Sequence, residues 1–180
     1  MRIEGDGLVL RPWTDDDLPA MPSIYDDPDV ARFTPIESPF DADAALRYLA
    51  KVRARGADGS ALHRAITTDG GTPLGEVMLF ERPDGFGVDG GTLRTREIGY
   101  AVARAARGRR LASRAVRLVA DHAERTLGTQ RLVLRIDDGH VASERVATAC
   151  GFTRVAHDPG DGTRHWERGS APTTAQPEPH

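Results

Sequence analysis

The chain has 180 residues, 39% of them hydrophobic and 28% charged, with a formal net charge of −3, which suits one folded domain with a full core. The small negative charge argues against bulk electrostatic attraction to nucleic acid or an anionic membrane. A single cysteine, Cys150, excludes an intrachain disulfide framework and favours a reducing, cytoplasmic setting, and no segment has the form of a signal peptide or approaches the ~20 apolar residues of a membrane span.

Residues 8–11, LVLR, read as a first strand. Thr14 then stands where a helix N-cap belongs, with Asp15, Asp16 and Asp17 in the first turn, where carboxylates meet the positive end of the helix dipole. Pro28, Pro35 and Pro39 break the next stretch into short irregular pieces, and a helix begins near Asp41, carries Ala45, Leu46, Leu49 and Val52 at three- and four-residue spacing, and closes at Gly56. ALHRAIT and PLGEVMLFE alternate as strands around the turn TDGGTP. Residues 82–92, RPDGFGVDGGT, are expected to form a mobile glycine-rich loop, and LRTREIGYAV is the next strand. The clearest element is a helix from about Gly108 to about Leu127, with an apolar stripe of Leu111, Ala115, Leu118, Val119, His122 and Ala123. RLVLRI is a further strand, HVASERVATAC a short helix stopped by Gly151, and FTRVAHD with TRHWERG a terminal hairpin around PGDG. The tail from residue 169, which contains SAPTTAQPEPH, is rich in proline and small polar residues and is expected to be disordered, leaving 1–168 as the domain. This order implies an α/β (α+β) fold, a mixed sheet covered by helices. Cysteine and histidine spacing gives no support for a metal site.

The turn before the long helix carries the strongest chemical signal. A helix N-terminus offers unpaired N–H groups and partial positive charge, Gly108 permits close approach, and Arg107, Arg109 and Arg110 add forked donors, so a diphosphate would fit there. Spacing alone leaves a solvated arginine face equally open. The glycine triplet of a dinucleotide fold and the lysine of a Walker A loop are both absent.

The span REIGYAVARAARGRRLASRAV, continuing through RLVLRIDDGHVASERVATACGF, resembles the GNAT acetyltransferase superfamily, in the branch of the ribosomal-protein alanine N-acetyltransferases. LVLRPWTDDDLPAM and PLGEVMLF are similar to that branch's opening and middle strand, so the resemblance covers roughly residues 8–168. It implies the acyl-CoA N-acyltransferase fold, with a mostly antiparallel sheet flanked by helices, and acetyl-CoA as acyl donor. It places Arg107, Gly108, Arg109, Arg110, Leu111 and Ala112, with Ser113 following, around the diphosphate. Arg110 stands where the family has glycine: a left-handed backbone there would be strained by arginine, an ordinary helical one would not. Ile98, Gly99, Tyr100, Ala101 and Val102 fall on the strand that the family splays to admit the pantetheine arm.

Attack on a thioester needs a neutral amine, so a base is expected, and Glu97 at the start of EIGY matches the branch's acidic position, with Glu76 as a lesser candidate. A surface ion pair is the competing reading of Glu97. Ala147 stands where many relatives have a tyrosine four residues before Gly-Phe; Ser143 matches the serine of the branch's Asn-x-x-Ser pattern, which the resemblance implies beside the coenzyme sulfur, with a helix cap as the competing reading. His140 reads as an N-cap, a solvent-facing residue or an acid–base group, and the resemblance adds a cofactor contact. His122 is expected as a satisfied core histidine and Cys150 as a buried thiol. The expected reaction is acetyl transfer to a primary amine, either a peptide N-terminus or a small molecule such as an antibiotic or polyamine. A non-catalytic acyl-CoA sensor is the alternative from another class, and a homodimer is expected by analogy of fold.

Overall fold

The computed structural model describes residues 1–82, 93–155 and 162–169. Most of the 82–92 loop, the turn before the last strand and the tail from residue 170 lie outside the described residues.

Two strands open the chain, β1 (Ile3–Gly5) and β2 (Leu8–Arg11). The turn between them runs through Asp6 and Gly7 with φ of 48° and 65°, the double left-handed geometry that joins tightly paired strands. β1, three residues long, carries too little alternation to be read from sequence. Thr14 does cap the next segment through a capping box with Asp17, but Asp15–Ala20 is a 3-10 turn containing Pro19 rather than an α-helix. Asp17 is buried and held by Arg11 through two contacts of 2.7 Å, so the acidic run supplies an internal ion pair as well as a cap.

Three helices follow, α1 (Met21–Tyr25), α2 (Pro28–Phe33) and α3 (Ala42–Ala57). Of the prolines that fragment this stretch, Pro28 also starts a helix, and Pro22 stands likewise in the first turn of α1, where a missing N–H costs nothing. Leu46, expected in the core, is 55% exposed. It sits one position past the buried stripe of Ala45, Leu49 and Val52.

β3 (Ala61–Thr67), β4 (Gly75–Arg82) and β5 (Thr95–Val102) are antiparallel neighbours. α4 (Leu111–Arg125) begins three residues later than expected, and leads to β6 (Arg131–Asp137), α5 (Val141–Ala149), β7 (Thr153–Arg154) and β8 (Thr163–Gly169). The sheet order is β1-β2-β3-β4-β5-β6-β8-β7, antiparallel except for β5 beside β6. Its two faces have different partners. Glu76 and Phe80 of β4 meet α3, through Tyr48 and Arg55, while α4 packs its buried Val116, Val119 and Ala123 on the other side. His122 belongs to that stripe only in part: it is half-buried, and its Nε2 has no hydrogen-bond partner among the described residues, which corrects the expectation of a satisfied core histidine. No helix among the described residues is long and apolar enough to cross a membrane.

Candidate active site

The sheet opens at its centre. β5 and β6 pair only from Thr95↔Arg131 to Glu97↔Val133, after which β6 continues to pair with β8 while β5 continues with β4. The facing edges of the two strands therefore diverge, leaving backbone donors and acceptors of β5 without a ladder partner on that side. A cleft of about 800 Å³ fills the divergence, and Ile98, Gly99, Tyr100, Ala101, His140 and Ser143 all line it. Four of the six stand on β5, and His140 and Ser143 stand at the start of α5, where the sequence reading placed them. Val102 lies just beyond, its carbonyl accepting from Arg107 Nε at 3.3 Å.

At the far end of β5 the chain turns into α4. Arg110, at the N-cap, has φ 57° and ψ 23°, and Gly108 has φ 79°. The arginine thus occupies a left-handed position that glycine would fill without strain, at a cost of roughly 1–2 kcal/mol. Among the described residues, the backbone N–H groups of 108–113 donate to no carbonyl or side chain, a row of donors at a helix terminus of the kind that holds phosphate oxygens. Leu111 is buried in the core, so only its backbone serves this surface, and the Ser113 hydroxyl is already used, donating to the Arg110 carbonyl at 3.1 Å. Arg109 and Arg110 are exposed and have no ion-pair partner among the described residues. Arg107 differs: its guanidinium reaches Asp27 at 3.1 Å and Asp29 at 2.9 Å, tying this turn to the first turn of α2. Its side chain is a brace between the turn before α4 and the start of α2. The residues present fit a diphosphate, chiefly through amides.

Glu97 lies at the fork of the strands. It is buried, with Oε2 held by Arg82 and Oε1 by Arg135 Nε at 3.1 Å, so one carboxylate bridges β4, β5 and β6 where they separate. The ion pair and the cleft position both hold for this residue. On the opposite wall, Ser143 is buried in the first turn of α5, its Oγ 3.5 Å from His140 Nε2. Tyr100 points its hydroxyl into the same corner. That oxygen is buried without an aligned partner, and burial pushes the phenol up to about 12, opposed by the neighbouring Ser143. His140 stacks on Phe33 of α2 with centroids 4.0 Å apart, and burial holds its imidazole below the usual range. Ala147 is fully buried, and Cys150, whose thiol is raised by burial, donates to the Ser113 carbonyl at 3.3 Å.

Glu76 forms the densest polar group on the face of the sheet that α3 covers. It is completely buried and receives Trp13 Nε1 at 2.7 Å, Tyr25 Oη at 2.7 Å and Tyr48 Oη at 2.5 Å, with His63 Nδ1 at 3.0 Å. Burial, then the adjacent carboxylate, pushes both phenols well above their usual range. Its partners come from four separate segments of chain, so no local pattern announces them. Only the charge in the middle of the apolar run PLGEVML was a signal. Arg82 and Arg135 escaped notice for the same reason, as members of different strands.

A profile described as an acetyltransferase (GNAT) domain matches residues 7–153. Among solved structures, a GNAT-family acetyltransferase from Bacillus anthracis superposes with a TM-score of 0.76 at 16% identity, covering 94% of this chain and 98% of that one. RimJ of Mycobacterium smegmatis, in complex with a CoA disulfide, gives 0.71 at 21% identity over 93% and 84% of the two chains. RimL, a ribosomal L7/L12 α-N-protein acetyltransferase in complex with coenzyme A, gives 0.75 at 17% identity over 94% and 98%. At these identities the likeness is one of fold. No curated protein sequence matches.

Proposed function

The chain belongs to the GNAT acetyltransferase family and takes acetyl-coenzyme A as its acyl donor, and from that premise we propose that its acceptor is the α-amine of a protein or peptide N-terminus. The observation that carries this reading is the continuity of the cleft, which runs from Ser143 past Glu97 to Arg55 on α3. It leaves room beyond the amine for an extended chain. RimL, a protein of like fold described as a ribosomal L7/L12 α-N-protein acetyltransferase, supports the same acceptor class. Small amines such as antibiotics or polyamines are the competing acceptors.

The free amides of 108–113 would hold the diphosphate, and the unpaired edge of β5 would run beside the pantetheine arm. Bound there, acetyl-coenzyme A supplies an activated acyl thioester. The chain's own residues then divide the remaining work by wall. Glu97, a carboxylate buried at the fork, orients the incoming ammonium and takes up its proton directly or through water, an α-amine near pKa ~8 being partly protonated at neutral pH. The Ser143 and Tyr100 hydroxyls stand on the sulfur side as hydrogen-bond donors. Proximity in the cleft contributes much of the rest.

Glu97→Gln keeps the shape of the fork and removes the base. Acetylation of a Ser- or Ala-starting peptide is expected to fall by about 10²-fold in kcat/KM, with acetyl-CoA affinity retained in calorimetry as proof that the slot is intact. Full activity in this variant would remove Glu97 from the reaction.

A further inference from the structure

One face of α3 builds the cleft wall opposite the sulfur side. Tyr48, Lys51, Val52 and Arg55 recur at i, i+3, i+4 and i+7, the spacing that aligns side chains on one side of a helix, and all four line the cleft. Their chemistry changes along the groove. Tyr48 donates inward to Glu76, Val52 is buried, and Lys51 and Arg55 bring two cations. The Arg55 guanidinium stands 6.0 Å from the Phe80 ring centroid, and Phe80 is the direct ladder partner of Glu97. Arg55 is therefore one strand away from the fork. Arg32 of α2, also lining the cleft, lies 4.9 Å over the Phe33 ring.

Among the described residues, none of Arg32, Lys51 and Arg55 has a carboxylate within ion-pair distance, whereas the neighbouring Arg82 and Arg135 are bound to Glu97 and the lining acid Glu81 to Arg96. The remaining lining carboxylate, Asp137, belongs to the end of β6, just before His140. A chain of net charge −3 thus presents on α3 two cations, Lys51 and Arg55, that have no acidic partner among the described residues. The diphosphate does not account for it: the Phe80↔Glu97 row precedes Val102 by five residues, roughly 17 Å along the strand from the turn into α4.

We propose that Lys51 and Arg55 form an anion-recognising arm of the acceptor subsite, which selects amines carrying a carboxylate close by: N-termini followed by acidic residues. With the amine at Glu97, an extended peptide advances ~3.3 Å per residue, so its second and third side chains pass Arg55 and Lys51. The α-carboxylate of a free amino acid offers the same chemistry at shorter reach. The direction of the peptide rests on the acetyl-transfer reading; the anion preference itself is a property of binding.

The test uses the full chain saturated with coenzyme A for calorimetric binding, and with acetyl-CoA for kinetics. The probes are Ser-Asp-Asp, Ser-Asn-Asn and Ser-Lys-Lys peptides of otherwise identical sequence, with free serine and aspartate as a separate arm. The Asp peptide is expected to exceed the Asn peptide by about tenfold in affinity and kcat/KM. Added salt should erode the ratio, and the Lys51→Met/Arg55→Met variant, which keeps the apolar stems, should bring it to about 1. Preference confined to the free amino acids would keep the arm and assign the anion to an α-carboxylate. Acidic preference in binding without acetylation of any probe would keep the arm and overturn the transfer reading. Equal or better use of the Asn or Lys peptide would overturn the arm.

Discussion

Glu76 shows what a single buried charge demands of its neighbours. A carboxylate removed from water must have its lone pairs met, and Trp13 in the connection after β2, Tyr25 of α1, Tyr48 of α3 and His63 of β3 meet them. The group fastens α1 and α3 to β4, and Tyr48, which also lines the cleft, is the point where this network reaches the acceptor side. Glu76→Ala leaves several buried donors unanswered and is expected to cost roughly 3–5 kcal/mol, a fall in melting temperature of about 10 °C for a domain of this size. Glu76→Gln keeps one acceptor oxygen and is expected to fall between the two. A melting temperature for Glu76→Ala within about 2 °C of the wild type would contradict the hub. Glu97 has a different setting. Its two arginine partners leave it at a cleft wall rather than under a core, which suits a group that must meet a substrate.

At the scale of elements, the site is made by two departures from regularity: a ladder that stops and a helix that starts from a left-handed residue. The helix start was partly legible. The glycine and arginines before an apolar stripe marked the turn, and the family pattern raised the question of the backbone at Arg110, which φ of 57° answers as strained. Arg110→Gly is expected to raise stability by about 1 kcal/mol, the strain relief exceeding the extra freedom of the unfolded chain. Acetyl-CoA affinity should stay within about threefold, because amides do most of the holding. A lower melting temperature, or affinity lost by more than tenfold, would show that the guanidinium itself is needed there. The splay was legible only through resemblance, since EIGYAV alternates like any half-buried strand and nothing in it says that pairing with β6 ends at Glu97. β1 and the 3-10 character of Asp15–Ala20 were illegible for a local reason: three residues carry no period, and Pro19 breaks a helix whose cap and acidic first turn are otherwise sound.

For the whole molecule, the sheet is a frame that holds two chemistries apart. α4 and its amide row stand at one end of β5, and the cations of α3 and the fork of Glu97 stand toward the other, so a long donor and an acceptor can enter from different sides and meet between them. Arg107 braces α2 on the turn that would bind phosphate, and the Phe33–His140 stack fixes the same helix to α5. Long-range pairing of this kind leaves little trace in one sequence, because each partner is an ordinary arginine, aspartate or phenylalanine in its own segment. The most direct test of the account is mass spectrometry of a Ser- or Ala-starting peptide after incubation with the protein and acetyl-CoA, with fragmentation to locate the added group. One acetyl group on the α-amine is expected, formed only with protein and donor both present. Acetyl-CoA binding with no acetyl group on any peptide α-amine would contradict it.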